Sequence, residues 1–518
     1  MSTMRQATGR MSLFLIVIGC SVSLFLWLPR EVALGAEERS GAPAPAEKTL
    51  TLAECVRLAL ETNRTVQIAT LDRTVQRFVL KVAEDKFMPH GEVTSTVAYD
   101  SPGRDYGSRS AVYGRIFPTV SLLMPTGSQM NFTWLSGKDS PTSQLLTAFS
   151  GQVTPILGTV QQPYGGAVDL SVRQPLLKGG GITVNKASVN IARSEEERNK
   201  VALKSTIMDV VTSVIVAYRR LQQTLKEVQI SRQALAKAQE LLSINQTLVK
   251  LGRLPALDIV QTERNVTSKE LALVTAERDM DAARLALIDV LEIDPATRLV
   301  PTEALSAPPV RPDLTQVEEI ALRSRPEYLQ ARFQVEVAEQ DELLARNNRL
   351  WDFSLIGGYT LLGRGVRVKQ AFQDMGGYGS KDWRVGVELT IPLRDLTLDR
   401  DVVSTRIAAQ QARLRLEETR HRTAVAVRDA VRDVEVRLRQ NDLARKLRDL
   451  SEKQFSVEQE KLHAGRSSIF QLVSYQDDLL DAQLREVEAA VGYLNALTVL
   501  DQVIGTTLET WQIDMRVY

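Results

Sequence analysis

Few residues in this chain have types and spacings that could do chemistry. Asp477, Asp478 and Asp481 fall at i, i+1 and i+4, which could place carboxylates on one helix face as a cation site would need. A solvated or inward-facing helix surface explains the same spacing without a metal. His90, His421 and His463 are far apart, and none has a ligand partner at helical spacing. Lys178-Gly179-Gly180-Gly181 is glycine-rich, but no Gly-Lys-Ser/Thr follows, so it reads as a strand-to-helix elbow and not a phosphate loop. Once a leader containing Cys20 is removed, Cys55 is the one cysteine left. That excludes an intrachain disulfide and a cysteine metal site. No nucleophile–base pattern stands out. Neither enzyme activity, cofactor nor metal is expected. Lysine and arginine total 64 against 63 aspartates and glutamates, a balance that argues against nucleic acid as a partner.

What stands out instead is a repetition. Leu251-Gly252-Arg253, followed by Leu257-Asp258-Ile259-Val260, recurs as Ala464-Gly465-Arg466, followed by Phe470-Gln471-Leu472-Val473. The same offset carries Ala217 onto Ala430 and Leu291-Glu292 onto Ile504-Gly505. A repeat of this size indicates a duplicated supersecondary unit, here a very long helical hairpin.

The ends bound the rest. Residues 1–36 read as a signal peptide, with Arg5 and Arg10 before an apolar run over 11–28 and Ala33-Leu34-Gly35 as its cleavage region. A retained inner-membrane anchor is the alternative, and Val17-Ile18-Gly19-Cys20 resembles a lipidation box. Residues 37–48 read as a flexible leader. Beyond the leader no apolar stretch reads as a membrane-crossing helix, so any crossing must use β-strands.

Within the first repeat (49–300), the spacing predicts a helix over 50–87 with Thr51 as its cap. A β-region follows over 91–175, then a helical hairpin over 189–292. Residues 301–312 form a proline-rich linker. The second repeat (313–505) gives a helix over 315–347, a β-region over 353–392 and a hairpin over 401–505, before a tail at 506–518. Four segments alternate over about nine residues, the length of outer-membrane strands. The first β-region is longer, and its Pro125-Thr126-Gly127 hairpin, near 112–135, reads as an insertion of undecided location. In each half one long helix matches two short ones end to end, which suits a tube of long antiparallel helices. Four strands cannot close a barrel, so several chains must share one.

These residues resemble the TolC-like outer-membrane efflux protein family. Residues 49–63 resemble its opening helix, Gln174-Pro175-Leu176-Leu177-Lys178-Gly179-Gly180 its strand-to-helix junction, and the turns at Gly252 and Gly465 its periplasmic tips. The fold implied is mainly α with membrane β: a coiled-coil α-helical tunnel continuous with a trimeric outer-membrane β-barrel, each chain giving two repeats and four strands. The resemblance implies an exit duct for an efflux pump or type I secretion system. Its implied partners are a periplasmic adaptor, an inner-membrane transporter and outer-membrane lipid. Asp258 matches the family's tip aspartate, whereas Gln471 and Ser474 stand where the second repeat's aperture aspartates would be. Gly252, Arg253, Gly465 and Arg466 are candidates for adaptor contact, although both arginines also suit simple helix-end charges. The reading from a different class is a periplasmic coiled-coil scaffold or adaptor on an uncleaved anchor.

Overall fold

A computed structural model describes residues 47–100, 111–138, 164–251, 257–377, 380–464 and 466–515, all within the unit Glu47–Tyr518. The first half contains β1 (Glu47–Leu50), α1 (Leu52–Thr62), α2 (Arg64–Asp85), β2 (His90–Asp100), β3 (Ala111–Leu123), β4 (Gln129–Lys138), β5 (Tyr164–Pro175), α3 (Ile182–Lys250) and α4 (Leu257–Leu291). The second contains β6 (Arg298–Pro301), α5 (Leu314–Ser324), α6 (Pro326–Asn348), β7 (Asp352–Gly365), α7 (Val368–Gly376), β8 (Ser380–Thr390), α8 (Leu396–His463), α9 (Ile469–Ile504) and α10 (Thr507–Thr510). The expected signal peptide, Cys20, most of the leader, Gly252, Arg253 and Gly465 lie outside the described residues.

Thr51 caps α1 in a reciprocal capping box with Glu54, whose carboxylate accepts the Thr51 N–H at 2.8 Å. The single helix expected over 50–87 is two, because Asn63 leaves the helical path and its side chain accepts the Thr65 N–H at 2.9 Å to cap α2. The helix expected over 315–347 breaks likewise at Arg325, a residue that Pro326 disfavours from helical geometry. Glu47 and Lys48, expected in a flexible leader, instead belong to β1, which pairs in parallel with β6. Helix α7 was not expected inside the second β-region.

The two long helices have 69 and 68 residues, about 100 Å each. Nothing in one chain is large enough to bury such rods on every side, so they pack laterally. Near the sheet the neighbours run α2–α3–α6–α8, and toward the far ends they run α4–α3–α9–α8. The chain is therefore one layer, four helices wide at each level. Its core lies where α1 and α5 cover the middle. There Ile207, Ile215, Tyr218 and Leu221 of α3 meet Cys55, Ala59 and Leu291, while Val427 and Val434 of α8 meet Tyr493 and Ile504. Each large side chain buried this way contributes about 1.5–3 kcal/mol. Windows of α3 and α9 are apolar enough to pass a membrane-helix test of length and composition, contrary to the sequence reading. Both helices supply this core.

The linker is not loose. The Tyr493 hydroxyl donates to the Pro308 carbonyl at 2.9 Å and accepts the Val310 N–H at 2.8 Å. On the other side the Tyr218 hydroxyl donates to the Leu50 carbonyl at 3.1 Å. The tail also packs, with Leu508 buried and Trp511 and Ile513 against the α3 core.

β2 to β8 form one antiparallel sheet in the order β2-β3-β4-β5-β7-β8. This corrects the count of four strands: the hairpin β3–β4 pairs on both sides within the sheet. The sequence left it open because strand partners are non-local. The sheet of one chain is not closed, and β2 and β8 are its edges.

Gly505 ends α9 in the left-handed region at φ 83°, and an added Cβ would lie 2.5 Å from the Ser324 carbonyl oxygen. Gly505→Ala is expected to destabilise the fold by at least about 1–2 kcal/mol, read as a lowered unfolding midpoint in detergent. Gly91→Ala, which meets nothing within 4 Å, serves as the control.

Candidate functional site

The sheet has two chemically different faces, and the register shows them row by row. Glu92, Thr119, Thr133, Asp169, Thr360 and Asp382 lie side by side across all six strands. The adjacent row, which alternation places on the opposite face, is Gly91, Val120, Phe132, Leu170, Tyr359 and Trp383. The polar face carries its own network. Thr360 Oγ1 donates to Asp169 Oδ2 at 2.7 Å, and Arg173 pairs with Asp352 at 3.0 Å and Glu388 at 3.7 Å. On the apolar face Trp383 is 78% and Val385 70% exposed in the single chain. Large apolar side chains left bare in this way fit lipid, as charged and hydroxyl groups on the other face fit a watery passage. Helix α7 lies on the apolar face at the outer ends of the strands, over Gly166 and Gly363, with Phe372 edge-on to Trp134 at 5.6 Å.

At the far end of the helices are the two turns singled out by sequence. Asp258 is the second residue of α4, but its side chain lies outside the description. In the other turn Ser468 caps α9 by accepting the Gln471 N–H at 3.3 Å, and the Arg466 N–H donates to the Lys461 carbonyl at 2.8 Å. Gln471, Ser474 and Arg466 are exposed. A group that sequence reasoning missed holds this turn: Glu458, buried near the end of α8. It accepts the Ser467 hydroxyl at 2.5 Å and the Lys461 ammonium at 3.1 Å. These two donors hold its pKa below the ordinary glutamate value.

Further along the helices, Lys269 of α4, nearly buried, pairs with Asp477 of α9. This pair joins helices that are not packed neighbours. Arg448 with Glu486 at 2.9 Å, and Arg232 with Glu277 at 2.7 Å, join packed ones. Asp481 pairs with Arg485, so the Asp477-Asp478-Asp481 cluster is divided between helix contacts. Among the described residues no group of three histidine, cysteine, aspartate or glutamate side chains could hold a metal. Nearer the middle, Arg219 donates to the Leu494 carbonyl at 2.6 Å and to Thr498 Oγ1 at 2.7 Å. Burial pushes its pKa down to about 10, which leaves it charged at neutral pH.

The sequence matches the family model described as outer membrane efflux protein over residues 158–291 and 318–506, more than half the chain. This chain belongs to the outer membrane efflux protein family. A search of curated proteins finds no match. Among solved structures, the fold is similar to the CmeC outer membrane channel of Campylobacter jejuni at TM-score 0.62, with 14% identity over 93% of this chain and 94% of that one. VceC of Vibrio cholerae gives 0.62 at 14% identity, covering 88% and 96%. The open state of the MtrE channel of Neisseria gonorrhoeae gives 0.61 at 15% identity, covering 88% and 89%.

As an outer membrane efflux protein the chain is a channel component and not an enzyme. Its two-faced sheet belongs in the outer membrane, and its helical layer extends into the periplasm. The anchored-scaffold alternative loses its support, since a scaffold has no use for six such strands. The residues missed at the turn carried one faint signal: a carboxylate, a hydroxyl and a lysine flank Gly465. Nothing local linked Lys269 to Asp477, which are 208 residues apart.

For Glu458 the sign is fixed by its lowered pKa. The contact is fully formed above the ordinary value of 4.5 and is lost as pH falls through the lower folded value. Hydrogen exchange over residues 464–470 is expected to be slow at neutral pH and to quicken on acidification. Glu458→Gln should exchange fast at both pH values, and an unchanged rate would refute the clamp.

Proposed function

We propose that this protein is the exit duct of a tripartite efflux pump or type I secretion system, formed by three copies of the chain. The observation that carries this reading is the alignment of the free edges. Along one side of the layer lie β2, α2 and α4; along the other lie β8 and α8. Both sides leave apolar side chains bare, such as Leu71 and Phe78 on α2 and Leu443 and Leu450 on α8. A neighbouring copy covers the helix edges and completes the strand ladder in one operation. Unpaired edge groups in lipid would otherwise cost several kcal/mol each. The signal peptide is removed, and the duplicated hairpins form two parts of the tunnel wall in every copy.

The turns at Gly252-Arg253 and Gly465-Arg466 meet the periplasmic adaptor, and an inner-membrane transporter supplies both cargo choice and energy. The passage is gated at these tips. Asp258 gives one carboxylate per chain there, while Gln471 and Ser474 give none. A ring so thin in charge holds cations weakly compared with a fully carboxylate-lined aperture. The Lys269–Asp477 pair latches α4 to α9 above the tip and favours the closed arrangement.

Fractionation tests the duct: an outer-membrane, heat-modifiable oligomer with its leader cleaved is expected, and an unprocessed inner-membrane monomer would overturn it. The gate is read in planar bilayers. Asp477→Asn leaves nearly buried Lys269 without its partner charge and is expected to weaken closure by about 1–2 kcal/mol. That corresponds to a roughly tenfold larger open population. Asp258→Ala should also raise conductance, and wild-type conductance in both variants would dismiss the tip as a gate.

A further inference from the structure

The inserted hairpin has the properties of wall and not of ornament. β3 and β4 pair with β2 and β5 over most of their length, and their residues continue the polar and apolar rows without a change of face. Its inner turn is stitched to the elbow where the sheet becomes helix. The Gly181 N–H donates to the Thr126 carbonyl at 3.0 Å. Gly127 sits at φ 94°, where a Cβ would come 2.2 Å from the Gly179 carbonyl oxygen. The Asn185 side chain donates to that same Gly179 carbonyl at 2.8 Å, and Asn347 accepts the Gly179 N–H at 2.7 Å. The hairpin is thus held at the membrane boundary by the residues that start α3.

Its consequence is geometric. Strands lie about 4.8 Å apart and tilt about 40° in a barrel, so six strands span about 38 Å of circumference. Four strands would span about 25 Å. The helical layer beneath is four helices wide at each level, and at 8–10 Å between axes it spans roughly 32–40 Å. Six strands match that arc and four do not. The match is a property of one chain and holds for any number of copies.

We infer that the β3–β4 hairpin widens the membrane barrel to the girth of the helical tube, so that the duct crosses the outer membrane without narrowing and passes bulky cargo as broad as the tunnel. The inference rests on the duct reading above and specifies the size class of what that duct carries.

Single cysteines labelled from the cell exterior test it, with buried Cys55 as the unreactive background. Thr119→Cys and Asn131→Cys, on the polar face, are expected to react with water-soluble maleimides. Val120→Cys and Phe132→Cys, on the apolar face, are expected to stay unlabelled. Equal labelling of both faces would put the hairpin outside the wall and overturn the inference. A size-graded series of polyethylene glycol maleimides at Ser171→Cys then reads the width, independently of the tips. Deleting residues 111–138 is expected to reduce the cut-off radius by about one third, and an unchanged cut-off would also overturn it. Failure of the duct reading looks different: no outer-membrane oligomer would form, and none of the polar-face cysteines would be labelled.

Discussion

The backbone at the two sheet edges governs this molecule. In water an open strand edge is tolerated, because solvent satisfies its N–H and C=O groups; in hydrocarbon nothing does. The chain ends its sheet at β2 and β8 with no cover on either, and exposes Val93, Val97, Val385 and Val387 along them. Such a sheet is stable in lipid only if each edge finds another. The helices obey the same constraint in another form, since rods of 69 and 68 residues cannot be wrapped by a single chain. Closure by identical neighbours meets both needs, which is why strand edges and helix edges fall on common lines.

Within the layer, polar contacts decide registration and the apolar ones supply most of the energy. The α3 and α8 seams bury valine, isoleucine and leucine against α1, α4, α5 and α9. Tyr218 and Tyr493 fasten β1 and the linker across the middle. Arg219 ties the long helix of one half to the return helix of the other, and its donors are all used within a buried setting. Toward the tips such packing thins out and ion pairs take over. Contacts between charged groups are individually weaker and depend on pH and salt. A region that must open is therefore held by the kind of interaction that is easiest to release.

Much of this was legible in the residues. The capping box at Thr51 and Glu54, the first-position proline of α6, the alternation in the strands and the lengths of the two hairpins all follow from local rules. Asn63 was less legible, because an asparagine within a good helical pattern breaks it only when its neighbours leave room for the cap. Helix α7 escaped notice as a short amphipathic segment between two strands. Glu292 shows how a local rule is overridden: it adopts a positive φ where Gly505 occupies the corresponding position in the other half. Its carboxylate accepts the Arg64 N–H at 3.1 Å, a contact that glycine could not make.

Sequence by itself determined the long helices, the alternating strands, the absence of catalytic groups and the kinship to outer-membrane ducts, because each depends on periodicity or on neighbours close in the chain. It also marked Pro125-Thr126-Gly127 as a turn. Only the tertiary structure decided where that hairpin goes, that Lys269 meets Asp477, and that Glu458 is buried against Ser467. Those facts depend on which distant segments lie side by side, and pairing between remote strands and helices leaves no period in the sequence to read.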